Sequence, residues 1–448
     1  MPSAVHPTAV DAGRSLLATR ILATFDGPVG AYVHVPFCEW ICPFCPYNKV
    51  LARPSLADQY FSALRREVDA YVSAYDNRYH APFTSLYIGG GTPTLYPEAL
   101  AELIQRIPVS GERAVEVLPN HGTAHRLQHL SDIGFTAVSI GAQSFHDDVL
   151  HQLHRPHDAT TSRQAVENAL GRFSCVDVDL IVDVEWEKAG STPGAFLDDV
   201  VTCFELGVDQ VSTYPLMRFG YTPFGSAHHN RKREHEILSR ATAVATRMGY
   251  ERRSVWTFNR RGSAPYTSIT RRRFLGMGAG SSSFAGRDFY VNHFGVNTYI
   301  GAIERDQLPI ARWLHLGRWA GATYDIFWQA YAGGVDRCRL ATSYGSAVAI
   351  CAQVSAQPLV AAGLLRAVPG GYRLTARGFD VYHDLERAVT YQLIEPLWAQ
   401  MLREHTTECG TNGARARWAL PDRARGDRVF NLVSRRFERS PDRVGATP

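Results

Sequence analysis

The chain has 448 residues, of which 45% are hydrophobic and 20% are charged, and its formal net charge is +4. This composition is typical of a globular protein with a sizeable core and excludes a mainly disordered chain. The mild charge gives no reason to expect a nucleic-acid partner. Because we find neither a long apolar run nor a secretory signal, we predict a cytoplasmic protein that does not span a membrane.

The first part of the chain alternates between strand-like and helix-like segments. After an N-terminal arm (1–30), β-branched runs occur at 31–35, 84–90, 113–119, 135–141, 176–182 and 208–214. Helical patterns separate or follow them at 56–75, 97–106, 122–132, 160–171, 194–206 and 231–248. Six such repeats predict an α/β fold with parallel strands. They suit a partial (β/α)6 TIM-like barrel over 31–309 better than a doubly wound sheet, although periodicity alone does not separate the two.

The last third of the chain has a different pattern. Residues 310–405 read as helices with a hairpin around Pro369-Gly370-Gly371, which predicts a second, winged-helix-like domain. A DNA-reading helix there would need a basic face, and 340–362 contains no lysine or arginine. We therefore expect this domain to cover a substrate rather than bind DNA. The tail, 406–448, is polar and rich in arginine and is expected to be loosely ordered.

Three of the eight cysteines lie close together, at Cys38, Cys42 and Cys45. The others are scattered, which favours buried thiols over a disulfide framework. A structural zinc site uses four ligands, usually as two separated pairs, and the second pair is missing here. A [4Fe–4S] cluster held by three cysteines would keep one iron open for another ligand. We therefore predict a cluster, with zinc or a chance grouping as the alternative.

This spacing, with Phe44 just before the last cysteine, resembles the motif of radical S-adenosylmethionine (SAM) enzymes. The preceding stretch "YVHVPFC" (32–38) resembles their HemN-like branch, the oxygen-independent coproporphyrinogen oxidases and their relatives. The resemblance extends over about residues 31 to 390. It implies a partial radical SAM barrel, a HemN-type C-terminal domain, a [4Fe–4S] cluster and bound SAM.

The resemblance also implies a set of SAM-binding residues. They are Phe44, Gly89, Gly90, Gly91, Thr92, Glu116, Gln143, Arg155 and Asp179. Taken one at a time, each has an ordinary alternative, such as a glycine turn, a solvent-facing carboxylate or a surface arginine. Most of them, however, lie at or just after the carboxyl ends of successive predicted strands, where β/α barrels build their active sites.

Several departures from the branch shape the functional expectation. Tyr47 stands where coproporphyrinogen oxidase has a fourth cysteine, and the N-terminal arm is shorter than in that enzyme. The His-Asn and Tyr-Trp element of the haem-chaperone relatives is missing from 266–280, and 182–194 replaces another family stretch. These differences argue against both porphyrinogen decarboxylation and haem transfer.

What remains resembles the class C radical SAM methyltransferases and cyclopropanases. This implies two SAM molecules and transfer of a SAM-derived methyl or methylene group to an sp2 carbon of a secondary metabolite, as in antibiotic biosynthesis. Tyr32, Gly89 and the loop 214–217 are candidates for the second SAM, with core packing an equal alternative for Tyr32. Expected partners are a small-molecule substrate, a flavodoxin- or ferredoxin-type electron donor and a further methyltransferase. Alternatives are an anaerobic haem-degrading methyltransferase, a coproporphyrinogen dehydrogenase-like enzyme and a haem chaperone.

Overall fold

Six parallel strands form the centre of the fold. The computed structural model describes residues 12–25, 27–182, 194–225, 231–263, 273–408 and 438–439. The parallel strands are β1 (Gly30–Val35), β2 (Leu86–Gly90), β3 (Arg113–Val117), β4 (Ala137–Gln143), β5 (Cys175–Val182) and β6 (Gln210–Pro215). They pair in chain order, each with the next, and all these pairs are parallel. The predicted α/β fold and its six strands are therefore confirmed.

Helices connect these strands, as parallel pairing requires. They are α1 (Ala12–Leu22), α2 (Pro54–Tyr79), α3 (Pro97–Arg106), α4 (Ala124–Asp132), α5 (Asp147–Gln152), α6 (Ala159–Ala169), α7 (Ala195–Leu206) and α8 (Arg231–Arg247). Each of the predicted helices is present, with ends shifted by a few residues. The short helix α5 and the arm helix α1 were not predicted. Buried Ile21, Leu22 and Phe25 attach the arm to the main core.

The sheet continues beyond the six strands on both sides, which the sequence did not predict. The added strands are β7 (Tyr250–Arg252), β8 (Thr257–Arg260), β9 (Phe274–Met277), β10 (Ser282–Phe284), β11 (Asp288–Asn292) and β12 (Ile310–His315). Strand β9 pairs with β1 in parallel, and β10 to β12 follow as an antiparallel meander. A Cβ at Gly276 would lie 2.1 Å from the Ser282 carbonyl oxygen, so glycine permits the close approach of β9 and β10. Such short, glycine-flanked strands have too few residues to show a clear pattern in the sequence.

A buried carboxylate joins this meander to the helical layer. Glu67 on α2 is 0% exposed and accepts hydrogen bonds from Gly278 N at 2.8 Å, Asn292 Nδ2 at 2.9 Å and Tyr299 Oη at 2.6 Å. Tyr299 lies on α9 (Val296–Glu304). Bonds to a carboxylate are stronger than neutral ones, so Glu67 fixes the turn after β9.

The C-terminal region is helical with a small sheet, as predicted. Its elements are α10 (Arg318–Tyr331), β13 (Gly334–Asp336), α11 (Arg337–Tyr344), α12 (Ser346–Ala361), β14 (Leu365–Val368), β15 (Gly371–Leu374), α13 (Ala376–Val389), a π-helical turn (Thr390–Ile394) and α14 (Glu395–Glu408). Strands β14 and β15 form the expected hairpin, and Gly370 in its turn has φ +80°. Met401 of α14 packs in the same apolar cluster as Val291 and Phe294 of the sheet region.

Some expectations lie on parts of the chain that are not described. Apart from its ends, the replaced stretch 182–194 is outside the described residues, and so are Cys409 and most of the tail. Residues 438–439 form β16, which pairs with β12. The predicted domain limits remain predictions. Strand β12, which begins where the second domain was predicted to begin, is hydrogen-bonded to the main sheet. In the described part of the chain, no helix is both long and apolar enough to cross a membrane.

Candidate functional site

The cysteine loop follows β1 at the carboxyl end of the parallel strands. Two very short strands enclose it, Phe37–Cys38 and Val50–Leu51, which pair in parallel. Inside the loop, Cys45 N donates to Cys42 O at 3.2 Å, and Lys49 Nζ donates to Cys45 O at 2.6 Å. The three cysteines are free thiols held in one short, closed segment.

Asn48 fixes the end of this loop, a role that sequence reasoning missed. Its buried amide donates to Ala279 O at 3.0 Å and to Phe294 O at 2.8 Å.

His34, beside the loop, is held in one tautomer. Burial lowers the pKa of His34 to about 4, so its ring is neutral. Its Nε2 lies 2.8 Å from Asn48 O, which can only accept, and therefore carries the proton. His34 Nδ1 then accepts from Tyr32 Oη at 2.8 Å.

The glycine run at the end of β2 lies directly beside the cysteine loop. A Cβ at Gly91 would lie 2.5 Å from Phe37 O, and one at Gly90 would lie 2.6 Å from the His34 ring. Thr92 N donates to Phe37 O at 2.7 Å. Only glycine allows the two segments to come this close, and Gly90 also has φ +117°, a conformation that side chains rarely adopt.

Glu116 at β3 points toward the same run. It accepts hydrogen bonds from Gly90 N at 2.9 Å and from Tyr87 Oη at 2.7 Å. Burial raises the pKa of the Glu116 carboxyl, and these two bonds partly offset the rise. A Cβ at Gly89 would lie 2.6 Å from Glu116 Oε1, so the glycine is needed for the carboxylate to reach its position.

Strand β4 ends in an irregular turn that brings Arg155 to the cysteine loop. Gln143 has φ +68°, a strained value for a side chain, and the β4–β5 register shifts before it. Arg155 Nη2 donates to Gly141 O at 2.8 Å, and Nη1 lies 3.1 Å from Cys42 Sγ. Arg155 Nε is buried and has no hydrogen-bond partner. The guanidinium therefore has a donor left for an anionic ligand.

Two aspartates of β5 face the interior. Asp179, predicted from the sequence, accepts from Ser139 Oγ at 2.9 Å. Asp177 was not predicted; it is 0% exposed and accepts from Ser212 Oγ at 2.8 Å and from Ser139 Oγ at 3.3 Å. Burial raises the pKa of Asp177 to about 7, and burial together with the charge of Asp177 raises that of Asp179. The alternation along β5 could have pointed to Asp177, because residues two apart on a strand share a face.

The remaining predicted residues occupy two different environments. Tyr32 is half-buried and stacks on Tyr87, with ring centroids 5.9 Å apart. Phe44 packs with an apolar cluster that includes Val149 and Leu153. Tyr32 packs with Tyr87, Ala114, Ala137 and Cys175, at the beginnings of the strands. The rest of the predicted set lies around the carboxyl ends of β1 to β5, and the ligand roles of all its members stay predictions.

The donor set at this rim fits a [4Fe–4S] cluster with SAM. Burial raises the pKa of the Cys38 thiol to about 12 and also raises that of Cys45, as it does for the scattered Cys175. Thiolates at these positions would therefore need a bound metal to stabilise them. Within the described ranges, no three His, Cys, Asp or Glu side chains converge on a point where one metal ion could be held. A cluster binds each thiolate through a different iron, and a structural zinc ion takes four ligands.

Comparisons with known proteins show which families the chain resembles. Residues 32–186 match the family model described as the radical SAM superfamily. HemW of Bacillus subtilis, a haem chaperone, is 28% identical over 299 residues, which cover 62% of this chain and 77% of HemW. The oxygen-independent coproporphyrinogen III oxidase of Escherichia coli is 25% identical over 351 residues, covering 70% of this chain and 74% of the oxidase. The solved structure of the Escherichia coli oxidase, HemN, matches with a TM-score of 0.68 at 20% identity, covering 86% of this chain and 96% of that one, and supports the fold.

These relatives correct the functional expectation. The prediction of a class C methyltransferase or cyclopropanase acting on a secondary metabolite is wrong, because the matching relatives are haem chaperones and coproporphyrinogen oxidases. The prediction relied on Tyr47 and on the missing His-Asn element. Single departures of this kind do not outweigh a resemblance over most of the chain.

The superfamily itself implies a [4Fe–4S] cluster and SAM, in agreement with the donor set at the rim. The chain is similar, over 62% to 70% of its length, to members of the HemN-like branch of the radical SAM superfamily, and residues 32–186 match the superfamily model.

Proposed function

We propose that the protein is a radical SAM enzyme that abstracts hydrogen from a tetrapyrrole substrate of the porphyrinogen class. The observation that carries the proposal is the contact between Arg155 and Cys42 at a rim that also holds Glu116 and Asp179. The substrate class comes from the coproporphyrinogen oxidases among the relatives.

Each side chain at the rim has a chemical task in this proposal. Cys38, Cys42 and Cys45 would hold the cluster, which, when reduced, supplies the electron that splits SAM into methionine and a 5′-deoxyadenosyl radical. The planar fork of Arg155 suits the methionine carboxylate, and its unpaired Nε is a further donor toward it. Asp179, held by Ser139, suits the ribose hydroxyls as an acceptor.

The buried carboxylate of Glu116 contributes in a different way. It accepts from the backbone at Gly90 and so keeps the glycine run pressed against the cysteine loop. A carboxylate there also suits the amino group of SAM, which carries a positive charge. The packed residues around the rim would keep water away from a reactive radical. Excluding water and orienting the reactants are tasks that the protein performs in radical chemistry.

One SAM is sufficient for this reaction. The second SAM, expected near Tyr32 and 214–217, was part of the methyltransferase prediction. The present proposal does not use it. The electron donor remains a flavodoxin- or ferredoxin-type protein by expectation. The small-molecule partner is the tetrapyrrole.

The test is an anaerobic assay of reconstituted protein with dithionite, SAM and coproporphyrinogen III. We expect 5′-deoxyadenosine to form and porphyrinogen to be consumed with it. Arg155→Ala should retain iron and bind SAM more weakly, whereas Arg163→Ala, an arginine on α6, serves as the matched control. Formation of 5′-deoxyadenosine without loss of porphyrinogen would contradict the substrate class, and no 5′-deoxyadenosine at all would contradict the radical chemistry.

A haem carrier is the second candidate, and the similarity to HemW favours it. It predicts stoichiometric haem binding with a shifted Soret band and no consumption of porphyrinogen. The enzyme proposal predicts consumption of porphyrinogen without stoichiometric haem binding. Both measurements on one preparation therefore distinguish the enzyme from the haem carrier.

A further inference from the structure

The last helical segment lies over the cysteine loop. Trp398 of α14 lies with its ring centroid 5.9 Å from that of Tyr47, at an angle of 54°. Phe219, in the loop after β6, packs edge-on against Trp398 at 6.1 Å and against Tyr391 at 5.6 Å. The aromatic side chains thus connect three segments that are far apart in the sequence.

Hydrogen bonds fasten the same three segments. Gly220 N donates to Glu395 Oε1 at 2.5 Å, and Arg218 N donates to Tyr391 Oη at 3.1 Å. Tyr221 Oη donates to Pro46 O at 3.3 Å, within the cysteine loop. Tyr391 lies in the π-helical turn, and such turns are frequent at functional sites. The position of Trp398 over Tyr47 is therefore fixed by its surroundings.

Tyr47 lies in the cysteine loop, two residues after Cys45. The residue is 44% exposed, so part of its side chain is accessible to solvent. Its backbone carbonyl accepts a hydrogen bond from Lys49 Nζ at 3.2 Å.

An aromatic pair placed for stability alone would be expected to be buried, as Phe37 and Tyr60 are in the core. Tyr47 instead keeps an accessible ring two residues from a predicted cluster ligand. Proteins commonly bind a flat conjugated ring by stacking an aromatic side chain against its face. The partly exposed Tyr47 and the Trp398 ring beside it offer aromatic faces of this kind next to the cysteine loop.

We propose that Tyr47 and Trp398 together bind a pyrrole face of the substrate and position it beside the SAM rim. This inference rests on the proposed function and deepens it by naming two specificity-determining residues. It also gives Tyr47 a role of its own, at the position where a fourth cysteine stands in coproporphyrinogen oxidase.

The test measures binding of coproporphyrin III, the oxidised and fluorescent form of the proposed substrate, to cluster-loaded protein by anaerobic equilibrium dialysis. Trp398→Ala and Tyr47→Ala should each raise the Kd about five- to tenfold, the range for loss of one aromatic contact. Trp398→Phe and Tyr47→Phe keep an aromatic face and should bind within about twofold of the wild type. Leu402→Ala is the matched control, because Leu402 lies on the same helix and packs against the same apolar cluster as Trp398.

The outcomes separate this inference from the proposed function. Wild-type binding that neither alanine variant weakens overturns the inference alone. Equal weakening in the phenylalanine variants, or in Leu402→Ala, also overturns it, since the effect would then be structural. If the wild type does not bind coproporphyrin III, both the inference and the substrate class fail, while 5′-deoxyadenosine formation from SAM still tests the radical chemistry. If Tyr47→Ala loses its cluster, the Trp398 variants alone decide the test, because Trp398 is remote in sequence from the cysteines.

Discussion

Asn48→Ala should loosen the cysteine loop while leaving the rest of the fold intact. The amide of Asn48 satisfies two carbonyls, Ala279 O and Phe294 O, both of which belong to buried residues. Each lost bond leaves a buried acceptor without its partner, at a cost of about 1–1.5 kcal/mol. The two together give about 2–3 kcal/mol, which corresponds to an increase of about 30- to 160-fold in local opening of the loop.

Hydrogen exchange measured by mass spectrometry checks this value. Peptides covering 39–50 should exchange about 30- to 160-fold faster in Asn48→Ala, whereas peptides from the β3–β5 region should be unchanged. Asn120→Ala is the matched control, because its exposed side chain makes one weaker bond, at 3.3 Å, to Pro156 O. Unchanged exchange in 39–50 would refute the view that Asn48 anchors the loop.

Three further predictions follow from buried groups. Gly89→Ala places a methyl group 2.6 Å from Glu116 Oε1 and should weaken SAM binding at least about tenfold by equilibrium dialysis, while Gly27→Ala, which meets nothing within 4 Å, should not. Asp177 has a folded pKa of about 7, above its ordinary 3.8, so the folded state binds an extra proton and stability falls as pH rises between these values. Asp177→Asn removes this loss, so the thermal unfolding midpoint of the variant minus that of the wild type should increase between about pH 4 and about pH 7. A difference that stays constant over this range would contradict the shift. Glu67→Gln weakens three charge-assisted bonds and should lower the midpoint by several degrees, whereas Glu102→Gln, at an exposed ion pair, should have little effect.

The sequence predicted those parts of the molecule whose signals are local. The parallel strands and their helices follow from hydrophobic runs and helical periods, and the cysteine spacing is visible within eight residues. The resemblance to the radical SAM family pointed to Gly90, Glu116 and Asp179, and their positions near strand ends agree with where barrel sites lie. The ends of helices differ by a few residues, because capping and fraying are not determined by the apolar pattern alone.

The parts that were missed depend on contacts between distant segments. Asn48 bonds to Phe294, 246 residues away, and Trp398 meets Tyr47 only because α14 folds back over the loop. No local pattern encodes such pairs. The functional prediction failed for a related reason: it gave decisive weight to Tyr47 as a missing ligand, without the aromatic surroundings that the structure places around it.

The most direct test of the account is an electron paramagnetic resonance spectrum of the dithionite-reduced, reconstituted protein, recorded with and without SAM. The account holds that Cys38, Cys42 and Cys45 bind three irons of a [4Fe–4S] cluster and that SAM binds beside Arg155, Glu116 and Asp179. It predicts a reduced-cluster signal whose shape changes when SAM is added. A cluster signal that SAM leaves unchanged, or a protein that binds no iron, would contradict it.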